Sequence, residues 1–410
     1  MSIDTRPAPG GRGGHDRAWR VGLVVGAGLG VAARFLARRA HRAGGGGLVD
    51  WPAAEAIAVR RLRAARDALS PTEVAAAQPA YDAAMRRIVP LLERHLGTHL
   101  PGVVERHEVV DRGDWARANL VMFRHLVGRL EEQLLQRDEA REDSLGAGLA
   151  AVANRFLTTR QVAFLLSFLG GRVLGQYDIA LLSAEAAPGR LLFVEENIRA
   201  TATALDVPLD DFRVWIALHE ATHAFEFEAH PWLRPYLAER LERQIASFLD
   251  DARTIQAKGL GQLIRRWRPR SGEHLLWGLM SQEQRRLLRE TQLVMSLLEG
   301  FSDWVMDEVG AEVVPNVRTV RERFEARRDQ RRRGLDRIVA RLTGLDMKLE
   351  QYRRGERFVA GVARTGGAAA VGHLWDGPEA LPTEAEFADP AAWVRRVAPE
   401  TLWAHPAADS

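Results

Sequence analysis

Two histidines and a glutamate stand at a spacing that suits metal-dependent hydrolysis. They form the motif HEATH at residues 219–223, inside an apolar stretch that predicts a helix over 210–229. Four residues of α-helix turn by about 400°, so His219 and His223 project from one face and can share one tetrahedral ion. Glu220 is rotated by about 100° from that face, beside the ion, where it can take a proton from a water that the metal acidifies. The motif therefore predicts one bound Zn²⁺ with Glu220 as the catalytic general base.

The alternative interpretation is a pair of core histidines whose hydrogen bonds are satisfied inside the fold. The flanking residues disfavour it, because Trp215, Ile216, Leu218 and Phe225 make this helix strongly apolar. Burying two imidazoles and a carboxylate in such surroundings costs free energy unless they bind something.

A catalytic zinc site needs a third protein ligand besides the two histidines and leaves one position open for water. The metzincin arrangement would require a glycine at 226 and a histidine at 229, where this chain has Glu226 and Ala229. The apolar segment 291–310 instead carries Glu299 and Asp303 one helical turn apart. We predict that Glu299 is the oxygen ligand and that Asp303 accepts a hydrogen bond from the far ring nitrogen of a zinc-bound histidine. The remaining candidates for the third ligand are Glu226, His274 and the pair Glu195/Glu196.

The elements that position these residues are predicted to be mainly helical, with a minor β component. Asp210 is the expected N-cap of the motif helix, and Pro231 is expected to end it. The clearest strand is predicted over 190–197, after the turn signal Pro188-Gly189, and 106–112 is predicted to be a loop. Helices are predicted at 51–69, 71–96, 116–136, 160–175, 210–229, 233–256, 281–309, 316–343 and 346–364.

Composition excludes several classes of function. The chain has no cysteine, which removes disulfides, thiolate metal sites and cysteine nucleophiles and agrees with a cytoplasmic location. The net charge is only +3, and the basic stretch 318–342 is interleaved with acidic residues, so we interpret it as a solvated helix face and expect no nucleic-acid partner. A single catalytic domain is expected over 48–400, followed by a tail at 401–410.

Residues 1–47 are expected to be an extension outside that domain. Within them Gly28–Ala33 matches a dinucleotide-binding fingerprint, but the acidic residue about 20 positions on is missing. The apolar run that starts at Val21 is too short to span a membrane before Arg34 interrupts it. The alternatives left are a membrane contact by residues 21–37, a partner-binding helix, and a packed or disordered extension.

Glu-x-x-x-Asp downstream of H-E-x-x-H is the gluzincin pattern, and from about Val49 the chain resembles a bacterial family of zincin-like metalloproteases or hydrolases. Some members of that family are labelled as associated with deazaflavin-coenzyme biosynthesis. The resemblance implies a zincin-like fold with a small β element and large helical additions, because Glu299 follows His223 by 76 residues. The matching stretches are LVDW (48–51), VVDRGDWARAN (109–119), RVLGQYD (172–178), DDFRVWIALHEATH (210–223), LEGFSDWVMD (298–307) and GLDMKLEQYRRGERFV (344–359).

The sequence favours a zinc metallopeptidase acting on a peptide or amide substrate. The alternatives are a hydrolase of a non-peptide amide, a catalytically silent zincin that serves as a scaffold, and a structural zinc site. The strand 190–194 is either a candidate edge for an extended peptide or part of a short structural hairpin. Residues 176–178 are expected either to brace the fold or to line the site. The sequence does not indicate the oligomeric state. Candidates for stabilising the oxyanion or binding substrate are Tyr352, His373 and Arg354, with Tyr236 and His274 as further options.

Overall fold

Long helices surround a small three-stranded sheet in the computed structural model, which describes residues 47–99, 102, 106–135, 145–178, 189–258, 281–330 and 345–404. This agrees with the mainly helical class predicted from the sequence. The strands are β1 (His107–Val110), β2 (Gly175–Asp178) and β3 (Arg190–Val194). The helices are α1 (Trp51–Arg63), α2 (Pro71–Ala75), α3 (Gln78–Leu96), α4 (Arg112–Leu135), α5 (Leu145–Gly170), α6 (Glu195–Leu205), α7 (Leu209–Ala229), α8 (Leu233–Lys258), α9 (Gln282–Val313), α10 (Val317–Gln330), α11 (Leu345–Gly372), α12 (Glu384–Ala388), α13 (Pro390–Val397) and α14 (Thr401–Ala404), with a 3₁₀ turn at His373–Trp375.

The strand β3 lies in the middle of the sheet, parallel to β1 and antiparallel to β2. Its residues are apolar on both faces because both faces are covered. Leu191 and Phe193 point into the main core, while Leu192 and Val194 pack into a second cluster around Trp115. The prediction that 190–194 forms a peptide-binding edge is therefore wrong, since β2 occupies that edge.

The helix α7, which carries the HEATH motif, is buried around most of its circumference. Phe212, Ala217, Leu218, Ala221 and Ala224 are all fully buried. The helix packs against α3, α9 and β2, so its polar side chains sit among apolar neighbours. This burial fixes their direction and makes any charge on them costly unless it is compensated.

The helix α9 is held against α11 by a close crossing of their backbones. A Cβ atom built on Gly300 would collide with the backbone of Gly355, and one built on Gly355 would collide with Ser296. Only glycine allows the two helices to approach so closely. Because Glu299 precedes Gly300 on α9, this crossing also fixes the position of the predicted third ligand.

Some local predictions fail at the ends of elements, and one fails because it missed a strand. Strand β3 ends at Val194, and residues 195–197 already belong to α6. The segment predicted as a loop at 106–112 contains β1 and the start of α4. Helix α7 begins at Leu209 with Pro208 as its N-cap, so the Asp210 prediction is wrong. Asp210 lies instead in the first turn and pairs with Arg213 at 2.8 Å.

Some predictions concern residues that the structure does not describe. The possible membrane contact by residues 21–37 lies outside the described residues. Among the helices in the described ranges, none is long and apolar enough to cross a membrane.

Residues 401–404, which were predicted to belong to the tail, form α14, in which Thr401 is buried.

Candidate metal centre

Side chains from α7 and α9 converge to form a candidate metal site. The Nε2 atoms of His219 and His223 lie 3.2 Å apart. Nε2 of His219 lies 3.7 Å from Oε2 of Glu299. One ligand atom from each of the three residues falls within 4.8 Å of the others. Two nitrogens at about 2.0–2.1 Å from one tetrahedral zinc would lie about 3.3 Å apart, so the histidine spacing suits zinc.

The Nδ1 nitrogen of His223, on the opposite side of the ring from the candidate metal position, contacts two polar side chains. Its Nδ1 lies 2.7 Å from Oε2 of Glu226 and 3.3 Å from the hydroxyl oxygen of Ser302. Glu226 comes three residues later on the same helix, so both side chains occupy one face of α7. Since Nδ1 faces an acceptor, the neutral ring would carry its proton on Nδ1 and direct the lone pair of Nε2 towards His219 and Glu299.

Glu220 lies on the side of α7 that faces β2. A Cβ atom on Gly175 would be 2.5 Å from Cγ of Glu220, so the strand approaches this side chain as closely as glycine allows. The backbone N–H of Tyr177 donates a hydrogen bond to the Glu220 carboxylate. The general base predicted from the motif is thus clamped between its own helix and an edge strand.

The charges at this site suit a bound cation. Burial alone would lower the pKa of His223, but the carboxylates of Glu226, Glu299 and Glu220 raise it to about 10. Burial raises the pKa of Glu220 to about 7, with Glu299 adding to the shift and His223 opposing it. Burial also raises the pKa of Glu226 to about 7, against the opposing effect of His223. Three carboxylates around two imidazoles leave negative charge that a divalent ion would neutralise.

The strand β2 is braced by hydrogen bonds from neighbouring elements. Nε1 of Trp115 donates to the side-chain oxygen of Gln176 at 2.7 Å, and the Gln176 amide donates to Asn119 at 3.0 Å. The Tyr177 hydroxyl donates to Glu228 at 2.8 Å. The side chains of Gln176 and Tyr177 therefore brace the fold, while the Tyr177 backbone contacts the site.

The rival candidates for the third ligand have other partners. Glu195 is fully buried and ion-paired with Arg213. Glu196 accepts backbone N–H groups from Leu69 at 2.8 Å and Arg112 at 2.9 Å. Glu226 contacts the far nitrogen of His223 rather than the nitrogen that faces the other ligands. His274 lies outside the described residues.

The residues predicted to assist the metal or the substrate have the following neighbours in the structure. Asp303 is half-buried on α9, and its charge acts on Arg321 of α10. Arg354 pairs with Glu384 at 2.6 Å.

His373 lies between two carboxylates, 2.6 Å from Asp376 and 3.2 Å from Glu400. Tyr352 lies on α11, in a part whose side chains are outside the described ones, and Tyr236 stacks under the guanidinium of Arg240. Roles for these residues in catalysis stay predictions.

From the sequence, Glu226 was a candidate only as the third ligand, Tyr177 only as a brace or site-lining residue, and Gly175 was missed. The sequence could have indicated the contact between Glu226 and His223, because a glutamate three residues after a candidate ligand histidine lies on the same helix face. The four-residue strand that carries Gly175 and Tyr177 has no apolar alternation that could have revealed it.

Comparisons with known proteins agree with this geometry. A family model described as zincin-like metallopeptidase matches residues 49–394. Among solved structures, the chain is similar to a protein from Chloroflexus aurantiacus described as "a putative hydrolase with a novel fold". The two share 34% identity with a TM-score of 0.62, over 85% of this chain and 98% of the other. The search of curated proteins finds no match.

Proposed function

Because the chain belongs to the zincin-like metallopeptidase family, we propose that it is a zinc-dependent hydrolase that cleaves peptide or amide bonds. The observation that carries the proposal is the convergence of His219, His223 and Glu299 within 4.8 Å, with the buried Glu220 adjacent on the same helix. A non-catalytic site would have no use for this last carboxylate, which is costly to bury.

His219, His223 and Glu299 would hold the metal, with two nitrogens and one oxygen as donors. When bound, zinc would acidify a water molecule and polarise the carbonyl group of the substrate. Three protein ligands leave a coordination position open, which is typical of catalytic rather than structural zinc sites. This argues against the structural-site alternative.

Glu220 would move the proton. Its carboxylate takes a proton from the attacking water as the new C–O bond forms, and delivers it to the departing amide nitrogen as the C–N bond breaks. Burial raises the pKa of Glu220 to about 7 in the metal-free protein, which supports a carboxylate that changes its protonation state near neutral pH. The Tyr177 N–H and the close approach of Gly175 hold the carboxylate in one place during both transfers.

An extended substrate would lie along β2. Leu174 accepts a hydrogen bond from Val194 at 2.9 Å, so the alternation of an antiparallel ladder turns the backbone groups of Gly175 and Tyr177 away from β3. A peptide that adds to this edge would pass next to Glu220. This arrangement favours a peptide over a small non-peptide amide, because a peptide could use those outward backbone groups of β2 that do not already bind Glu220.

The test combines metal analysis with a cleavage screen. Purified protein should contain about one zinc per chain, and a peptide-library or proteome digest should reveal cleavage products with the wild type. The variant Glu220→Gln should keep its zinc and lose cleavage, because an amide cannot accept the proton. Equal turnover by both proteins would eliminate Glu220 as the base. Zinc-loaded wild type that cleaves nothing would support the scaffold alternative or a non-peptide substrate.

A further inference from the structure

We propose that Glu226 is a positioning residue for the metal site, holding His223 in the tautomer and ring orientation that directs Nε2 to the ion. The inference rests on the proposed function, because it assumes that His223 is a zinc ligand. It assigns to Glu226 a role that the H-E-x-x-H motif does not contain. It also gives the far nitrogen of this histidine to a residue of α7 rather than to Asp303 of α9.

The first argument is the geometry around Nδ1 of His223. Oε2 of Glu226 lies at 2.7 Å, the length of a charge-assisted hydrogen bond. The Ser302 hydroxyl lies at 3.3 Å from the same nitrogen, near the upper limit for such a bond. The carboxylate is both closer and charged, so it dominates the choice of tautomer. With the proton fixed on Nδ1, Nε2 keeps its lone pair for a metal.

Second, among the described residues, Glu226 has no partner other than His223 that would explain the burial of its carboxylate. Its side chain is 0% exposed, and Oε1 has no hydrogen-bond partner among the described residues. Glu195 is buried to the same degree but is satisfied by Arg213, Arg199 and the hydroxyl of Tyr81. A carboxylate kept only for stability would be expected to resemble Glu195. Within the described part of the chain, the side chain that hydrogen-bonds to the Glu226 carboxylate belongs to His223, a candidate metal ligand.

The third argument is rigidity. Both residues of the pair lie on α7, three positions apart, with their backbones in regular helix. The apolar packing of this helix fixes the glutamate, and the glutamate in turn fixes the ring. A histidine held in this way loses little rotational freedom when it binds a metal, so the affinity for the ion rises.

The test measures zinc affinity rather than activity, by competition with a chelator of known affinity. We expect Glu226→Gln to weaken zinc binding by roughly 10- to 100-fold, the usual effect of losing such an outer partner. The matched control is Glu196→Gln, which also removes a buried carboxylate but one bound to backbone N–H groups of Leu69 and Arg112. Its affinity should match the wild type. Ser302→Ala should change affinity by less than about threefold, in keeping with its longer contact.

The outcomes separate this inference from the proposed function. If the wild type binds zinc and Glu226→Gln binds it equally well, Glu226 has no positioning role, although the metal site stands. A larger loss in Ser302→Ala than in Glu226→Gln would assign the role to the hydroxyl. A wild type that binds no zinc would overturn the proposed function together with this inference.

A second measurement covers the case in which Glu226→Gln fails to fold. In the zinc-loaded wild type, nitrogen NMR of the imidazole should show His223 protonated at Nδ1 and bound to the metal through Nε2. The Nδ1 proton should exchange slowly with water because the hydrogen bond to Glu226 is buried. The opposite tautomer would overturn the inference without any variant.

Discussion

The substitution Gly175→Ala tests whether the contact between β2 and Glu220 sets the position of the general base. A Cβ atom at this position would lie 2.5 Å from Cγ of Glu220 and 2.8 Å from its Cδ. Carbon atoms in contact normally lie about 3.5–4.0 Å apart, so the strand or the side chain must move by about 1 Å. Neither moves freely, because β2 is paired to β3 and Glu220 is buried on α7.

The cost of this change can be worked out in two parts. Overpacking a tight contact costs about 1–3 kcal/mol, and replacing glycine recovers about 0.4–1 kcal/mol by restricting the unfolded chain. The net loss of roughly 1–2 kcal/mol lowers the melting temperature by a few degrees. A displacement of about 1 Å in a catalytic group costs on the order of 100-fold in turnover. Zinc content should stay unchanged, because the substitution does not contact His219, His223 or Glu299.

The assay compares melting temperature, zinc content and turnover in this variant and in Gly171→Ala. The control adds the same methyl group just before β2, where the nearest atom, the carbonyl oxygen of Ser167, lies at an ordinary 3.5 Å. Gly171→Ala should behave like the wild type in all three measurements. Wild-type turnover in Gly175→Ala would refute the idea that β2 positions Glu220. Loss of zinc along with turnover would show that the strand supports the histidines instead.

Two further predictions concern the metal itself. Glu299→Ala should weaken zinc binding by more than the roughly 10- to 100-fold expected for an outer partner, because it removes one of three ligands; full zinc retention would reassign the third ligand. Zinc binding to metal-free protein at pH 8 should release at least about one proton. The pKa of His223 is raised to about 10, so the ring is protonated at pH 8 and must lose a proton before it can bind zinc. Since this pKa lies above the ordinary 6.5, protonated His223 stabilises the metal-free fold fully below pH 6.5, and that stability is lost as pH rises through about 10. Calorimetry in two buffers of different ionisation enthalpy measures the proton count, and a count of zero would contradict the reasoning.

Much of the site could be predicted because its residues break the pattern of their own helices. His219 and His223 interrupt an apolar helix at a spacing that places them on one face, and Glu299 does the same in α9. Polar groups in such positions are costly, so their presence signals a ligand. Helix periodicity and the cost of desolvation are properties of the local sequence, so these three residues can be identified without the tertiary structure.

The parts that could not be predicted depend on contacts between distant elements. Asp303 and Glu226 both have the chemistry to hold a histidine nitrogen, and only the structure shows that Nδ1 of His223 faces Glu226. The segment 106–112 was predicted as a loop because HEVV is too short to show alternation, and it becomes a strand by pairing with β3. Likewise, the apolar run of β3 does not reveal whether it is an edge or a central strand, since that depends on which segments pair with it.

The ligand set also links metal binding to the packing of the helices. Two candidate ligands lie on α7, and the third lies on α9, whose position depends on the crossing of α9 and α11 at Gly300 and Gly355. Without a cation, Glu299 repels the carboxylates of Glu220 and Glu226, while a protonated His223 attracts all three. A divalent ion that binds only the folded chain would remove that repulsion and stabilise the fold by mass action. The glycine crossing therefore contributes to the metal site although it contacts no ligand atom, because it holds α9 close enough for Glu299 to reach the two histidines.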